Sequence, residues 1–214
     1  LVADCITEIK KSCNLPVSIK TRLGLGYDED LHLLFGLIDE TRNAGCKKFF
    51  IHARNAILNG LSPKKNRKIP KLRYDDVLKV KNKYGDIELY LNGGLEDILG
   101  IHNNISLFNG IMIGRKVYDD PMFLRIIEKE VFNDNAVITR KDIINEYLKY
   151  AEPLSKEGIS NYLLLRHLFS LYYNTSLAKK WKKYLHDIIQ NNKKITSIND
   201  FEELVYEEKI LSYS

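Results

Sequence analysis

Four short apolar runs, each closing in polar or glycine residues and each set off by helical patterns, constrain this 214-residue chain most. They read "PVSIKTRLG", "KKFFIHAR", "IELYLNGG" and "GIMIGR". Runs of this length, bounded by Pro or Gly and rich in β-branched or aromatic residues, predict buried strands. Helical patterns cover residues 1–12, residues 28–43 with Asp28 as N-cap, residues 74–84 stopped by Gly85, a short stretch after "LNGG", and residues 121–131. Strands alternating with helices build parallel βα units, and from about Asn133 onward only helical patterns remain. A complete βα barrel takes eight strands and about 250 residues. Four strands mean either a small open sheet or half a barrel, and a chain that opens on Leu1 inside a helix without an initiator methionine favours the second. The expected architecture is α/β: residues 1–132 as about four βα units forming the second half of a TIM-type barrel, then residues 133–214 as an all-α helical domain.

In parallel α/β folds, ligands bind at the carboxyl ends of the strands. Here those ends carry Lys20-Thr21-Arg22, His52-Ala53-Arg54, Asn92-Gly93-Gly94 and Gly114-Arg115. Glycines at such ends let backbone N–H groups approach phosphate oxygens, and Arg115 adds a bidentate cationic contact. Read singly, they are turn glycines and a surface arginine. Lys20 either snorkels to water or meets the electron-rich pole of a flavin. His52 is either a satisfied structural group or a hydrogen-bond partner for a cofactor.

The net charge of +5 is too mild to demand an anionic partner. Its distribution says more. Lys64, Lys65, Arg67, Lys68, Lys71 and Arg73 follow one another without an acidic residue, a local potential suited to a polyanion. "KKWKK", residues 179–183, reads either as a solvated face around an anchoring tryptophan or as a nucleic-acid contact. Cys5, Cys13 and Cys46 lack metal-ligand spacing, and their odd number fits reduced thiols in the cytoplasm. Without such spacing no metal is expected, and no apolar run is long enough to span a bilayer, so no membrane is expected either.

Taken together, "PVSIKTRLG", "FFIHARNAILNGLSPKKNRKIPKLRYDDV", "LNGG" and "GIMIGRKVYDDP" resemble the tRNA-dihydrouridine synthases, in particular their bacterial A-type branch. "LRHLFSLYYNTSLAKKWKKYLHD" extends the resemblance to about residue 187. It implies an FMN-dependent, NADPH-using oxidoreductase that reduces uridines 20 and 20a of the tRNA D-loop. The base is taken out of its stack for this chemistry, as such enzymes require. Carried over by motif, Lys20 and His52 touch FMN, Asn92, Gly93 and Gly94 line its phosphate side, and Gly114 with Arg115 holds the phosphate. Lys64 and Arg67 would contact tRNA from the basic loop, and Lys179, Lys182 and Arg166 from the helical domain. A monomer is expected at full length. The family's proton-donating cysteine has no counterpart among the three here and is expected upstream of Leu1, so the chain alone should be inactive. Two further departures are Lys179 and Lys182 in place of arginines, and Asn174-Thr175-Ser176 in place of a glycine–proline turn. Alternatives are a nonenzymatic tRNA-binding remnant and another barrel oxidoreductase with a phosphorylated cofactor.

Overall fold

A computed structural model describes residues 1–201 and 203. The chain divides into two compact units, Leu1–Gly114 and Arg115–Ser214.

The first unit runs α1 (Val2–Ser12), β1 (Ser18–Arg22), α2 (His32–Asn43), β2 (Lys48–His52), α3 (Pro63–Asn66), α4 (Tyr74–Lys83), β3 (Glu88–Asn92), α5 (Ile98–Ile105) and β4 (Gly110–Met112). Its strands form one parallel sheet in the order β1-β2-β3-β4. Side chains alternate between sheet faces along each strand. Phe49, Ile51, Leu89 and Leu91 are fully buried, and with Leu34, Ile38, Val77, Val80 and Ile101 from the helices they make the apolar core. The other face carries Lys48, Phe50 and His52 of β2 and Glu88, Tyr90 and Asn92 of β3. There Phe50 and Tyr90 stack at 4.7 Å between ring centroids, and Lys48 pairs with Glu88 at 3.1 Å. Gly110 makes the stack possible, since a Cβ on it would lie 2.9 Å from the Tyr90 ring.

Helix α2 starts four residues later than its sequence pattern indicates, and Asp28 does not cap it. Asp28 Oδ1 instead accepts from the Asp30 N–H, and Asp30 Oδ1 from the His32 N–H, both at 2.9 Å. These local side-chain turns compete with helix formation and hold residues 28–31 outside it.

The second unit comprises α6 (Arg115–Asp119), α7 (Phe123–Phe132), α8 (Arg140–Lys156), α9 (Asn161–Leu165), α10 (Ala178–Gln190) and a 3-10 turn (Ile195–Asp200). Helices α6 and α7, which the sequence pattern assigns to the βα part, group with the helices. Thr139 and Asp142 form a reciprocal capping box that starts α8. The core gathers Ile144, Leu148, Leu165, Leu185 and Ile188 around Trp181. Trp181 is fully buried, and its indole N–H donates to the Leu168 carbonyl at 2.7 Å. Asn174 takes the left-handed conformation (φ 55°), closing the turn before α10 without glycine. Among the described residues, no helix is long and apolar enough to cross a membrane.

Candidate functional site

Strand register aligns the ends of the sheet. Arg22, His52, Asn92 and Met112 are successive partners across β1 to β4, on the face away from the buried core. Lys20 stands two residues back on the same face of β1. An open cleft of about 630 Å³ is lined by Lys20, Arg22, His52 and Arg67, with leucines of α2 and of the β1–α2 loop as its apolar wall. No carboxylate lines it. Burial, reinforced by the charge of Arg67, holds the Arg22 guanidinium below its ordinary pKa. The cleft is therefore a cationic pocket with an apolar side, suited to an anionic or electron-rich aromatic ligand.

The turn after β3 is built from two consecutive positive-φ glycines, Gly93 at +105° and Gly94 at +70°. A Cβ on Gly93 would sit 2.9–3.1 Å from the His52 imidazole, and one on Gly94 would strike Leu72 and approach the Tyr74 hydroxyl at 3.0 Å. Glycine is thus required twice over, by conformation and by space. Tyr74, the first residue of α4, donates its hydroxyl to the Gly93 carbonyl at 2.7 Å. Burial raises the Tyr74 pKa, so the phenol remains a donor. Asn92 Nδ2 lies 2.9 Å from Met112 Sδ.

Residues 54–73 contain little regular structure, so side chains satisfy much of their backbone. Arg22 Nη1 donates to the carbonyls of Asn55 (2.8 Å) and Asn66 (3.1 Å). The Asn66 amide accepts from the Ile57 N–H at 2.8 Å and donates to the Ile57 carbonyl at 2.6 Å. Asn55 Nδ2 donates to the Asp28 carbonyl, and Arg54 donates to that of Pro70. Arg73, unlike the other cations of the run, does not add to an exposed cationic surface. Its side chain is 6% exposed, paired with Asp76 at 2.6 Å, and it donates to Asn55 Oδ1 and the Glu29 carbonyl. Burial alone would raise the Asp76 pKa, but hydrogen bonds from Lys79 and Arg73 hold it below the usual carboxylate range. Lys64, Lys65, Arg67, Lys68 and Lys71 are exposed. Ser62 accepts from the Lys65 N–H and Pro63 opens α3, presenting Lys64 on a short capped turn.

The structure thus brings Lys20, His52 and Arg67 to one cleft and sets His52 against Gly93. Lys64 lies on the same loop but does not line the cleft. Gly114 ends the first unit, and Arg115 opens α6 in the second. Lys179 and Lys182 are exposed on α10, whose Trp181, Leu185 and Ile188 are buried. Arg166 is exposed, with its Nε 3.1 Å from His167 Nε2. Sequence reasoning did not select Arg22, although it shares Lys20's face by strand periodicity. It also passed over Asn55 and Tyr74, whose partners are distant in sequence, and Asn66, which bonds back to Ile57 within its own loop. None of the three cysteines lines the cleft: Cys5 is exposed, Cys13 half-buried and Cys46 buried. Among the described residues, no group of three or more His, Cys, Asp or Glu could hold a metal ion.

Comparison with known proteins places these features. A family model described as dihydrouridine synthase (Dus) matches residues 1–208. The tRNA-dihydrouridine(20/20a) synthase of Synechocystis sp. is 35% identical over 188 residues, covering 87% of this chain and 56% of that protein. That of Pasteurella multocida is 31% identical over 188 residues, covering 87% and 58%. That of Shewanella oneidensis is 33% identical over 193 residues, covering 90% and 58%. The chain therefore spans between half and two thirds of the length of these relatives. With a family match running nearly end to end over a parallel α/β unit and a helical unit, the chain belongs to the dihydrouridine synthase family.

Proposed function

We propose that this chain contributes to FMN-dependent, NADPH-using reduction of uridine to 5,6-dihydrouridine at positions 20 and 20a of the tRNA D-loop. Its sheet unit then corresponds to the second half of a flavin-binding barrel, and its helical unit to a tRNA-binding domain. The observation that carries this reading is the convergence of Lys20, His52 and Arg67 on one cleft free of carboxylates, beside a glycine turn that the His52 ring fills.

The residues fit FMN. A phosphorylated, electron-rich ring system needs cations along an apolar wall and a turn whose backbone is open to phosphate oxygens. Lys20 and His52 would hold the ring, Asn92, Gly93 and Gly94 the phosphate side, and Gly114 with Arg115 the phosphate. Bound there, FMN reduced by NADPH would supply a hydride to the uracil C5=C6 bond. Lys20 would face the electron-rich edge, while the leucine wall limits water. Lys64 and Arg67 would bind RNA phosphates from the loop, and Lys179, Lys182 and Arg166 from the helical unit. By the family resemblance the proton donor is a cysteine without a counterpart among the three here, none of which lines the cleft. That same observation favours one second reading, an RNA-binding protein without catalysis.

The test uses the full natural gene product. Wild type should purify with bound FMN and bind folded tRNA with a strong salt dependence. The double variant K64E/K182E, both residues outside the cleft, should keep its flavin, bind tRNA about tenfold more weakly or worse at low salt, and reduce the salt slope by about two, one per lost phosphate contact. Unchanged tRNA affinity would overturn the RNA assignment. Absence of flavin with retained tRNA binding would favour the second reading, and uridine reduction by the 214 residues alone would overturn the assignment of the acid.

A further inference from the structure

The Gly93–Gly94 turn is held from two sides. The His52 imidazole occupies the space a Gly93 side chain would need, and the Tyr74 hydroxyl donates to the Gly93 carbonyl at 2.7 Å. In a planar trans peptide, the carbonyl of one residue and the N–H of the next point in opposite directions. Fixing the Gly93 carbonyl on Tyr74 therefore also fixes the direction of the Gly94 N–H. With positive φ at both glycines, this peptide plane would otherwise turn more freely than any flanked by residues bearing Cβ.

We infer that Tyr74 is a positioning residue for phosphate: its hydroxyl aims the Gly94 N–H, and this backbone donor recognises the phosphoryl group of the cofactor. The inference rests on the FMN reading above. Several observations fit it. Tyr74 begins α4, so its side chain is set by a helix rather than by a loop. Arg73, immediately before it, is buried against Asp76 and anchors that helix start. The backbone N–H of Arg73 donates to the Ala53 carbonyl at 2.9 Å, and that of Ala53 donates to the Asn92 carbonyl at 2.9 Å. Tyr74, the end of β2 and the glycine turn are thus joined by short hydrogen-bonded links. A phenol kept protonated by burial donates across the whole physiological range.

The experiment compares FMN with riboflavin, which has the same ring system and lacks the phosphate. Apoprotein of the full natural gene product would be titrated with each, for wild type, Tyr74→Phe and Tyr84→Phe. Tyr84 is the control, because it is buried and its hydroxyl donates to the Phe35 carbonyl at 3.3 Å, so the variant likewise deletes a hydroxyl bound to a carbonyl. For Tyr74→Phe, FMN should bind about five- to tenfold more weakly, the worth of one well-placed hydrogen bond, while riboflavin affinity stays within about twofold. Tyr84→Phe should leave both affinities within about twofold. Unchanged FMN affinity in Tyr74→Phe, an equal loss for both ligands, or the same FMN-selective loss in Tyr84→Phe would each overturn the inference while leaving the flavin reading intact. Failure of wild type to bind FMN would overturn both.

Discussion

The basic loop of residues 54–73 and the basic helix α10 present similar numbers of cations, but they are held in place by different physics. In α10, the helix satisfies its own backbone, and Trp181, Leu185 and Ile188 anchor one face in an apolar core. Lys179, Lys180, Lys182 and Lys183 are exposed around that anchor. The loop has no such face to bury. It is tied down by polar side chains: Arg22, Asn55 and Arg73 bond to groups far away in sequence, and Asn66 bonds back across the loop to Ile57. A helix can change its surface without risk to its fold. A loop held by side chains cannot, because removing one partner strands buried polar groups.

The contrast can be broken at its anchors. Trp181→Ala should have the largest effect, about 4 kcal/mol off the helical unit, since it empties a fully buried aromatic site and orphans the Leu168 carbonyl. Denaturant unfolding followed by circular dichroism measures this, and a loss below about 1 kcal/mol would mean that α10 is not anchored there. Arg73→Ala comes next, at about 3 kcal/mol, because it leaves Asp76 without its buried partner. It also changes the pH dependence. The Asp76 pKa is depressed in the folded chain, so its contribution is complete above its unfolded value, near 4, and disappears as pH falls through the folded value. The variant should lose part of that acid-side slope, and identical slopes in variant and wild type would count against the pairing.

Asn66→Ala sharpens the contrast at about 2 kcal/mol, since one amide serves both backbone groups of Ile57. Amide hydrogen exchange in residues 54–73 should rise while that of α10 does not. The smallest effect belongs to Lys179→Glu with Lys182→Glu, within about 0.5 kcal/mol by thermal denaturation, because both side chains are exposed. A larger loss would show that the lysines support the helix rather than merely ride on it.

Much of the sheet unit was legible in the sequence because strand and helix periodicities are local. The four strands, the strand-end placement of Lys20, His52 and Asn92, and the anchoring tryptophan could all be read from spacing. Most of what could not be read depended on partners distant in the chain. Nothing near Arg73 shows that its guanidinium turns inward to Asn55 and Glu29, 18 and 44 residues away. Asp28 looked like an N-cap because aspartate is favoured there, yet a second aspartate at position 30 offered a competing local turn. The grouping of α6 and α7 with the helices is likewise a matter of packing, which periodicity does not encode.

Trp181 has one more consequence, for spectroscopy. It is the single tryptophan of the chain, and it lies fully buried in the helical unit, whereas tyrosines occur in both units. Selectively excited indole emission therefore watches one unit alone, and tyrosine emission reports on both. Comparing the two signals through one unfolding transition tells whether the units melt together or in sequence, without adding a label to the protein.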